Sequence, residues 1–214
     1  DDVTIIRPLT DPTNQSFSSG AVAFDGTGDE LSIADSADFD YGSGDFTLEC
    51  WLNPSQTNGT TLVHAHHSGS GFGPCNLYFD SNNMLTLYSS SNNSSSDVAS
   101  GTEFGVCPTG QWTHIAVSRE GNNIRMFRNG INVATISHSG SLMNATGTFD
   151  IGARDGNFHY IGKISNFRVV KGTAVYTSSF RPPTEPLTNI SGTTLLCCNN
   201  SSTTGSTVTP GTIT

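Results

Sequence analysis

The side chains that could do chemistry fall into four groups. Residues 24–30, FDGTGDE, hold Asp25, Asp29 and Glu30 with glycines between them. Calcium takes six to eight oxygens in flexible geometry, so Asp25 and Asp29 with inward-turned carbonyls are candidate ligands. The other reading of this stretch is a hairpin turn made by Asp25-Gly26. Residues 64–67 read HAHH. His64 and His66 share a strand face, a spacing that can chelate a transition metal. No further ligand stands at matching spacing, so two polar residues at a strand end is the alternative.

A third group is aromatic. Trp51, Tyr78, His159 and Tyr160 are the candidate glycan-binding residues, with Trp112, Tyr88 and Phe158 as further rings. Flat rings stack on the C–H faces of sugars, and the Asn, Ser and Asp of nearby loops can bind hydroxyls. The fourth group would be catalytic, and it is not assembled. Glycoside hydrolysis needs two carboxylates a few Å apart. The strand DFTLECWL carries one, Glu49, while Asp38 and Asp40 fall in a loop. There is no GxSxG nucleophile elbow. The chain reads as non-enzymatic.

Five cysteines, Cys50, Cys75, Cys107, Cys197 and Cys198, fit no zinc spacing. Cys50 alternates with Phe46, Leu48 and Leu52 and reads as a small core residue. Cys75 and Cys107 sit in loops where they could be bridged, and Cys197-Cys198 could form a strained vicinal pair.

The elements that must position these groups are short strands. Residues 111–136, QWTHIAVSREGNNIRMFRNGINVATI, read as a three-strand meander. Asn129-Gly130 is the strongest hairpin signal, because both residues tolerate the positive φ of a type I′ turn. In residues 46–53, Phe46, Leu48, Cys50 and Leu52 point one way and Thr47, Glu49 and Trp51 the other. Further strands are expected at 21–24, 30–33, 60–65, 76–79, 84–88, 149–153, 160–170 and 194–198, with a long loop over 89–100. Residues 174–180 are expected to hold one helical turn. Many short strands between turn clusters predict an all-β, two-sheet antiparallel sandwich with little or no helix.

The segments VAFDGTGDELSI, DFTLECWLNP, WTHIAVSREGNNIRMFRNG and IGKISNFRVVKGTAVYTSSFRPP resemble, in this order along the chain, the laminin-G-like jelly rolls of the concanavalin A-like lectin/glucanase superfamily. The resemblance spans roughly residues 20 to 196 and implies a jelly roll. A structural calcium is also common in that superfamily. Here the closing strand reads Lys163-Ile164-Ser165-Asn166, without the acidic residues that many members place there. The exit segment KGTAVYTSSFRPPTEPL resembles copies of the module in structural and tail-fibre-like proteins of marine bacteriophages.

Composition narrows the partners. The 214-residue chain carries a formal charge of −9 with only 9 Lys and Arg, a poor surface for nucleic acid or anionic membrane. No apolar run reaches membrane-span length. The sequence starts at Asp1 with no initiator Met and no signal peptide, which reads as a processed or trimmed start. The expected organisation is an N-terminal arm or edge strand over 1–20, a jelly roll over 21–198, and a Ser/Thr/Gly-rich tail or linker over 199–214. Ordering that tail costs about 1–2 kcal/mol per residue, and Val208 and Ile213 offset little of it. It should be disordered in isolation, or extended against another chain or a sheet edge.

The reading these features favour is a virion structural, decoration or fibre-associated module. It would work by packing against copies of itself or other virion proteins. The alternative is a secreted or surface carbohydrate-binding module.

Overall fold

The structure is a computed structural model that describes residues 20–56, 61–69, 71–154 and 156–214. The arm expected over residues 1–20 lies, but for Gly20, outside the described residues. Among the described residues fourteen strands, numbered in chain order, form two antiparallel sheets. The first sheet holds β1 (Val22–Asp25), β3 (Phe46–Pro54), β8 (Thr113–Glu120), β9 (Asn123–Arg128), β10 (Ile131–Ser137), β12 (Ile161–Lys171), β13 (Thr193–Cys197) and β14 (Ser206–Val208). Its order is β10-β9-β8-β3-β12-β13-β14, with β1 paired to the first half of β12. The second sheet holds β2 (Leu31–Ile33), β4 (Thr61–His66), β5 (Asn76–Phe79), β6 (Met84–Ser89), β7 (Ala99–Val106) and β11 (Phe149–Ile151). Its order is β2-β11-β4-β5-β6-β7. This is the jelly-roll sandwich. The helix among the described residues is one short 3-10 turn, Ala37–Phe39.

The alternation in β3 sets the layers. Phe46, Leu48, Cys50 and Leu52 enter the core between the sheets, where Phe149, Phe167, Leu77 and Leu85 meet them. The opposite face of β3 is also buried, because residues 172–188 lie across it. Val175 N donates to Thr47 Oγ1 at 2.8 Å, and Tyr176 Oη donates to Glu49 Oε2 at 2.7 Å. The rings of Tyr176 and Phe180 stack at 3.6 Å, and Phe180 meets Phe127 edge-on at 5.3 Å. The helical turn expected over residues 174–180 is absent. Thr47 and Glu49 of β3 take up Val175 N and Tyr176 Oη, and Phe180 N donates to the Gly130 carbonyl rather than to an i−4 carbonyl.

The Asn129-Gly130 turn has both residues at positive φ, 49° and 75°, as the type I′ geometry requires. Gly130 is fixed for a second reason: a Cβ there would come within 2.0 Å of the Phe180 carbonyl oxygen.

Residues 199–214 are not loose. β14 pairs with β13, placing Val208 opposite Leu196. The chain then crosses to the other sheet, where Ile213 bridges Ile33 and Thr214 exchanges two backbone hydrogen bonds with Ser32, at 2.9 and 3.0 Å. Ile213 is only 6% exposed and joins the core. The tail is therefore extended along sheet edges of its own chain, one of the states expected of it. The edges of β13 and β2 lie on the same side of the sandwich and supply ready-made pairing partners.

All five cysteines are free and buried. The Sγ atoms of Cys197 and Cys198 stand 3.8 Å apart.

Candidate functional site

A cleft of about 460 Å³ opens over β5 and β6 on the outer face of the second sheet. Alternation builds it. Leu77 and Phe79 of β5, like Leu85 and Leu87 of β6, point into the core, so Tyr78 and Tyr88 must point outward. The two rings meet edge-to-face at 5.3 Å, and both are half-buried. Burial raises the Tyr78 hydroxyl above its ordinary pKa, with the nearby Arg154 charge and hydrogen bond acting against it. Tyr78 therefore stays a neutral phenol.

Loops wall the cleft. Asp80 caps the β5–β6 turn, its Oδ1 accepting from Asn82 N at 2.8 Å and Met84 N at 3.0 Å. The Ser-rich loop 90–98 is ordered by its own side chains: Asp97 Oδ1 accepts from Ser91 N at 2.9 Å, and Asn92 Oδ1 from Ser94 N at 2.8 Å. Hydrogen bonding to Ser91 lowers the Asp97 carboxyl to about 2. On the far side Arg154 Nη1 donates to Tyr78 Oη at 2.8 Å. The Arg154 guanidinium lies 4.8 Å over the ring of Phe158, which is 41% exposed. Phe158 takes φ +60°, a left-handed backbone rarely adopted by a bulky residue. Its neighbours enforce this conformation. Arg154 and Asn157 exchange backbone hydrogen bonds, and the Phe158 carbonyl accepts from Leu62 N at 2.8 Å. The result is a row of Tyr88, Tyr78, Arg154 and Phe158 held in place before any ligand arrives.

The residues expected to bind glycan separate in space. Tyr78 is in the cleft. His159 is half-buried and does not line the cleft; its ring nitrogens stand 3.4 Å and 3.0 Å from the carbonyl oxygens of Asp29 and Gly156, where it braces the 156–160 loop. Trp51 is corrected: it is 1% exposed, against His114, on the face of β3 covered by residues 172–188. Tyr160 is corrected too. It is fully buried in the core against Phe24 and Phe79. Alternation gave the face of Trp51 but could not show that a later segment covers it.

The remaining candidates serve the fold. Thr27 N donates to Asp25 Oδ1 at 2.7 Å, and Asp25 N to Asp29 Oδ2 at 2.9 Å. Glu30 Oε2 accepts from Gly156 N at 3.0 Å. Asp25 and Asp29 accept backbone N–H groups within their own turn, and Glu30 ties that turn to the loop at Gly156. Among the described residues no three His, Cys, Asp or Glu side chains gather to hold a metal ion. His64 packs on Phe149 at 4.1 Å in the core, its Nδ1 2.9 Å from the Asp150 carbonyl oxygen. His66 Nε2 lies 3.2 Å from Asp35 Oδ1.

Glu49, the one carboxylate of β3, is fully buried. It accepts from Arg168 Nε at 2.9 Å and Arg168 Nη2 at 2.5 Å, and its Oε2 lies 3.1 Å from His114 Nε2. Burial alone would raise its pKa, but the hydrogen bonds and charges of His114, Arg168 and Tyr176 bring it below the usual value. Closed off in this way, Glu49 serves as an anchor for residues 172–188. Arg154 was not singled out in the sequence. Its signal was weak, a lone cation in a turn of an acidic chain.

Comparison with known proteins places this geometry. A family described as the concanavalin A-like lectin/glucanases superfamily (Laminin_G_3) matches residues 25–175. Among curated proteins, none matches the sequence. A Bacteroides ovatus protein described as carbohydrate binding superposes with a TM-score of 0.60 at 16% identity, over 86% of this chain and 52% of its own. This chain thus spans about half the length of that protein. Domain 4 of AbnA, an extracellular GH43 arabinanase of Geobacillus stearothermophilus solved with arabinotriose, gives 0.51 at 19% identity, covering 72% of each chain. The heptameric SAP-like pentraxin of Limulus polyphemus gives 0.52 at 19% identity, over 74% of this chain and 79% of its own. At such identities the likeness is one of fold. With more than half its length matched by the family, the chain belongs to the concanavalin A-like lectin/glucanases superfamily.

Proposed function

We propose that the domain is a non-catalytic carbohydrate-binding module whose ligand lies in the cleft over β5 and β6. The observation that carries this reading is the pair of half-buried tyrosines, Tyr78 and Tyr88, fixed edge-to-face at 5.3 Å in a concave site. Rings of this kind offer stacking faces to sugars, while Asp80, Ser96 and Arg154 offer hydroxyl partners at the rim. The cleft volume is in the range of small-ligand sites. The carbohydrate-binding description of the Bacteroides ovatus protein and the arabinotriose on the arabinanase domain support the same class. Such a module works where polysaccharide is, outside the cell or on a virion surface.

A packing role in a virion rests on the phage resemblance alone. Residues 199–214, which could have lain against another chain, are folded on their own sheets. A carbohydrate microarray probed with the full chain tests the proposal. Binding lost at least tenfold in Tyr88→Ala, with melting unchanged, is the expected result. An array without a hit, or a hit untouched by Tyr88→Ala, would overturn it.

A further inference from the structure

Resting on that reading, we propose that the cleft selects acidic saccharides and that Arg154 is the residue that takes the sugar's anionic group, a uronate carboxylate. The chain holds 18 acidic and 9 basic residues. Its buried or half-buried cations elsewhere have protein partners: Arg168 pairs with Glu49, Arg125 with Glu120, and Arg119 donates to the carbonyl oxygens of Gly42, Gly121, His138 and Gly140. Arg154 differs. Among the described residues no carboxylate stands within ion-pair distance of it. It is half-buried in the wall of the cleft that carries the stacking tyrosines.

The geometry then says how it is presented. A guanidinium has five N–H donors in a flat fork. Tyr78 Oη takes one Nη1–H, and Phe158 lies under the guanidinium at 4.8 Å. The N–H groups that Tyr78 leaves free form a fork that matches the two oxygens of a carboxylate. Phe158 is kept at φ +60° in this position by a braced loop. Backbone conformations of this kind persist where the surroundings fix them, and they gather at binding sites.

Asp80 orients the ligand. It lines the same cleft, and its two oxygens accept from the Asn82 and Met84 backbone and the Asn82 side chain. Its negative charge turns an acidic group away from the β5–β6 turn. The anion is therefore directed to Arg154 and the hydroxyls to Asp80, with Tyr78 and Tyr88 between.

The chemistry could be offered by a uronate carboxylate or by a sulfate ester, and the probes separate them. Calorimetric titration of the full chain would use trigalacturonate, its methyl ester, a sulfated trisaccharide and neutral cellotriose. The expected order has trigalacturonate tightest, with the methyl ester at least tenfold weaker. Arg154→Gln should bring the acid down to the affinity of the ester and leave the ester unchanged. The acid–ester comparison on the unaltered chain stands even if that variant folds poorly. Equal affinity for acid and ester, or an acid preference that survives Arg154→Gln, overturns the proposal. So does tightest binding of the sulfated sugar. Tight cellotriose with no acid preference overturns the anion role of Arg154 while leaving the carbohydrate reading standing. No binding of any sugar overturns both.

Discussion

Two histidines show how burial turns a candidate ligand into a pH-sensitive core residue. Burial against Phe149 and Phe167 lowers the His64 pKa from 6.5 to about 3, with the Asp150 hydrogen bond acting the other way. Burial also lowers His66, partly offset by Asp35. A folded pKa below the unfolded one means that the unfolded chain binds a proton which the folded chain refuses. The stability is fully present above pH ~6.5 and is lost as pH falls toward the folded value, at about 1.4 kcal/mol per pH unit for one such histidine. Denaturant midpoints at pH 7 and pH 5 should therefore differ, and His64→Leu should recover roughly 2 kcal/mol of that difference. A slope unchanged in His64→Leu would show the acid response to lie elsewhere. Asp25 makes a second test at this scale. Since its carboxylate accepts from Thr27 N, Asp25→Ala should cost about 1 kcal/mol whether or not chelator is present. A melting temperature that falls in chelator for the native chain alone would restore the calcium reading.

At the scale of elements, the sequence was legible wherever alternation met a turn signal. The meander, β3 and the β5–β6 hairpin stand where Phe46, Leu48, Asn129-Gly130 and Leu77 implied. Two strands were not legible. β7 carries Gly101 and Gly105, both at positive φ, in a run with little alternation. β14 is Ser-Thr-Val, and only the waiting edge of β13 makes it a strand. The cleft was half legible: the outward face of Tyr78 follows from Leu77 and Phe79, but the approach of Arg154 to it depends on a loop 76 residues away. The covered face of β3 was not legible, because residues 172–188 have no periodicity of their own. Their hold on the sheet can be measured. Tyr176→Phe removes one hydrogen bond to a buried carboxylate and should cost about 1.5–3 kcal/mol. Cleavage by protease within 172–188 should rise with it. Glu49→Gln should cost more, about 3–5 kcal/mol, because it leaves the Arg168 charge buried without its partner. Equal, small effects of the two would mean that the Tyr176–Phe180 stack holds the segment instead.

At the scale of the whole molecule, residues 199–214 join the two sheets. β14 extends the first sheet beyond β13, and Ile213 and Thr214 extend the second beyond β2. The segment thereby covers two sheet edges, the surfaces most prone to pairing with another chain. It also seats Ile213 in the core. The ordering entropy of a Ser/Thr-rich segment opposes this, at about 1–2 kcal/mol per residue. Backbone pairing on edges that already exist and the burial of one isoleucine, roughly 1.5–3 kcal/mol, work against that entropy. The balance should be small, so the segment should open locally before the sandwich unfolds. Amide exchange would then be faster at Val208 and Thr214 than at Leu48 or Val117 in the central strands. Ending the chain at Cys198 should leave a folded sandwich with a lower melting temperature. Its bared β2 and β13 edges should make it associate as concentration rises, which light scattering would detect. Ile213→Ser separates the two effects, removing the core contact while leaving the backbone pairing in place. That variant should melt lower yet stay monodisperse. Were the shortened chain as stable and as monodisperse as the full one, the tail would be a passive covering.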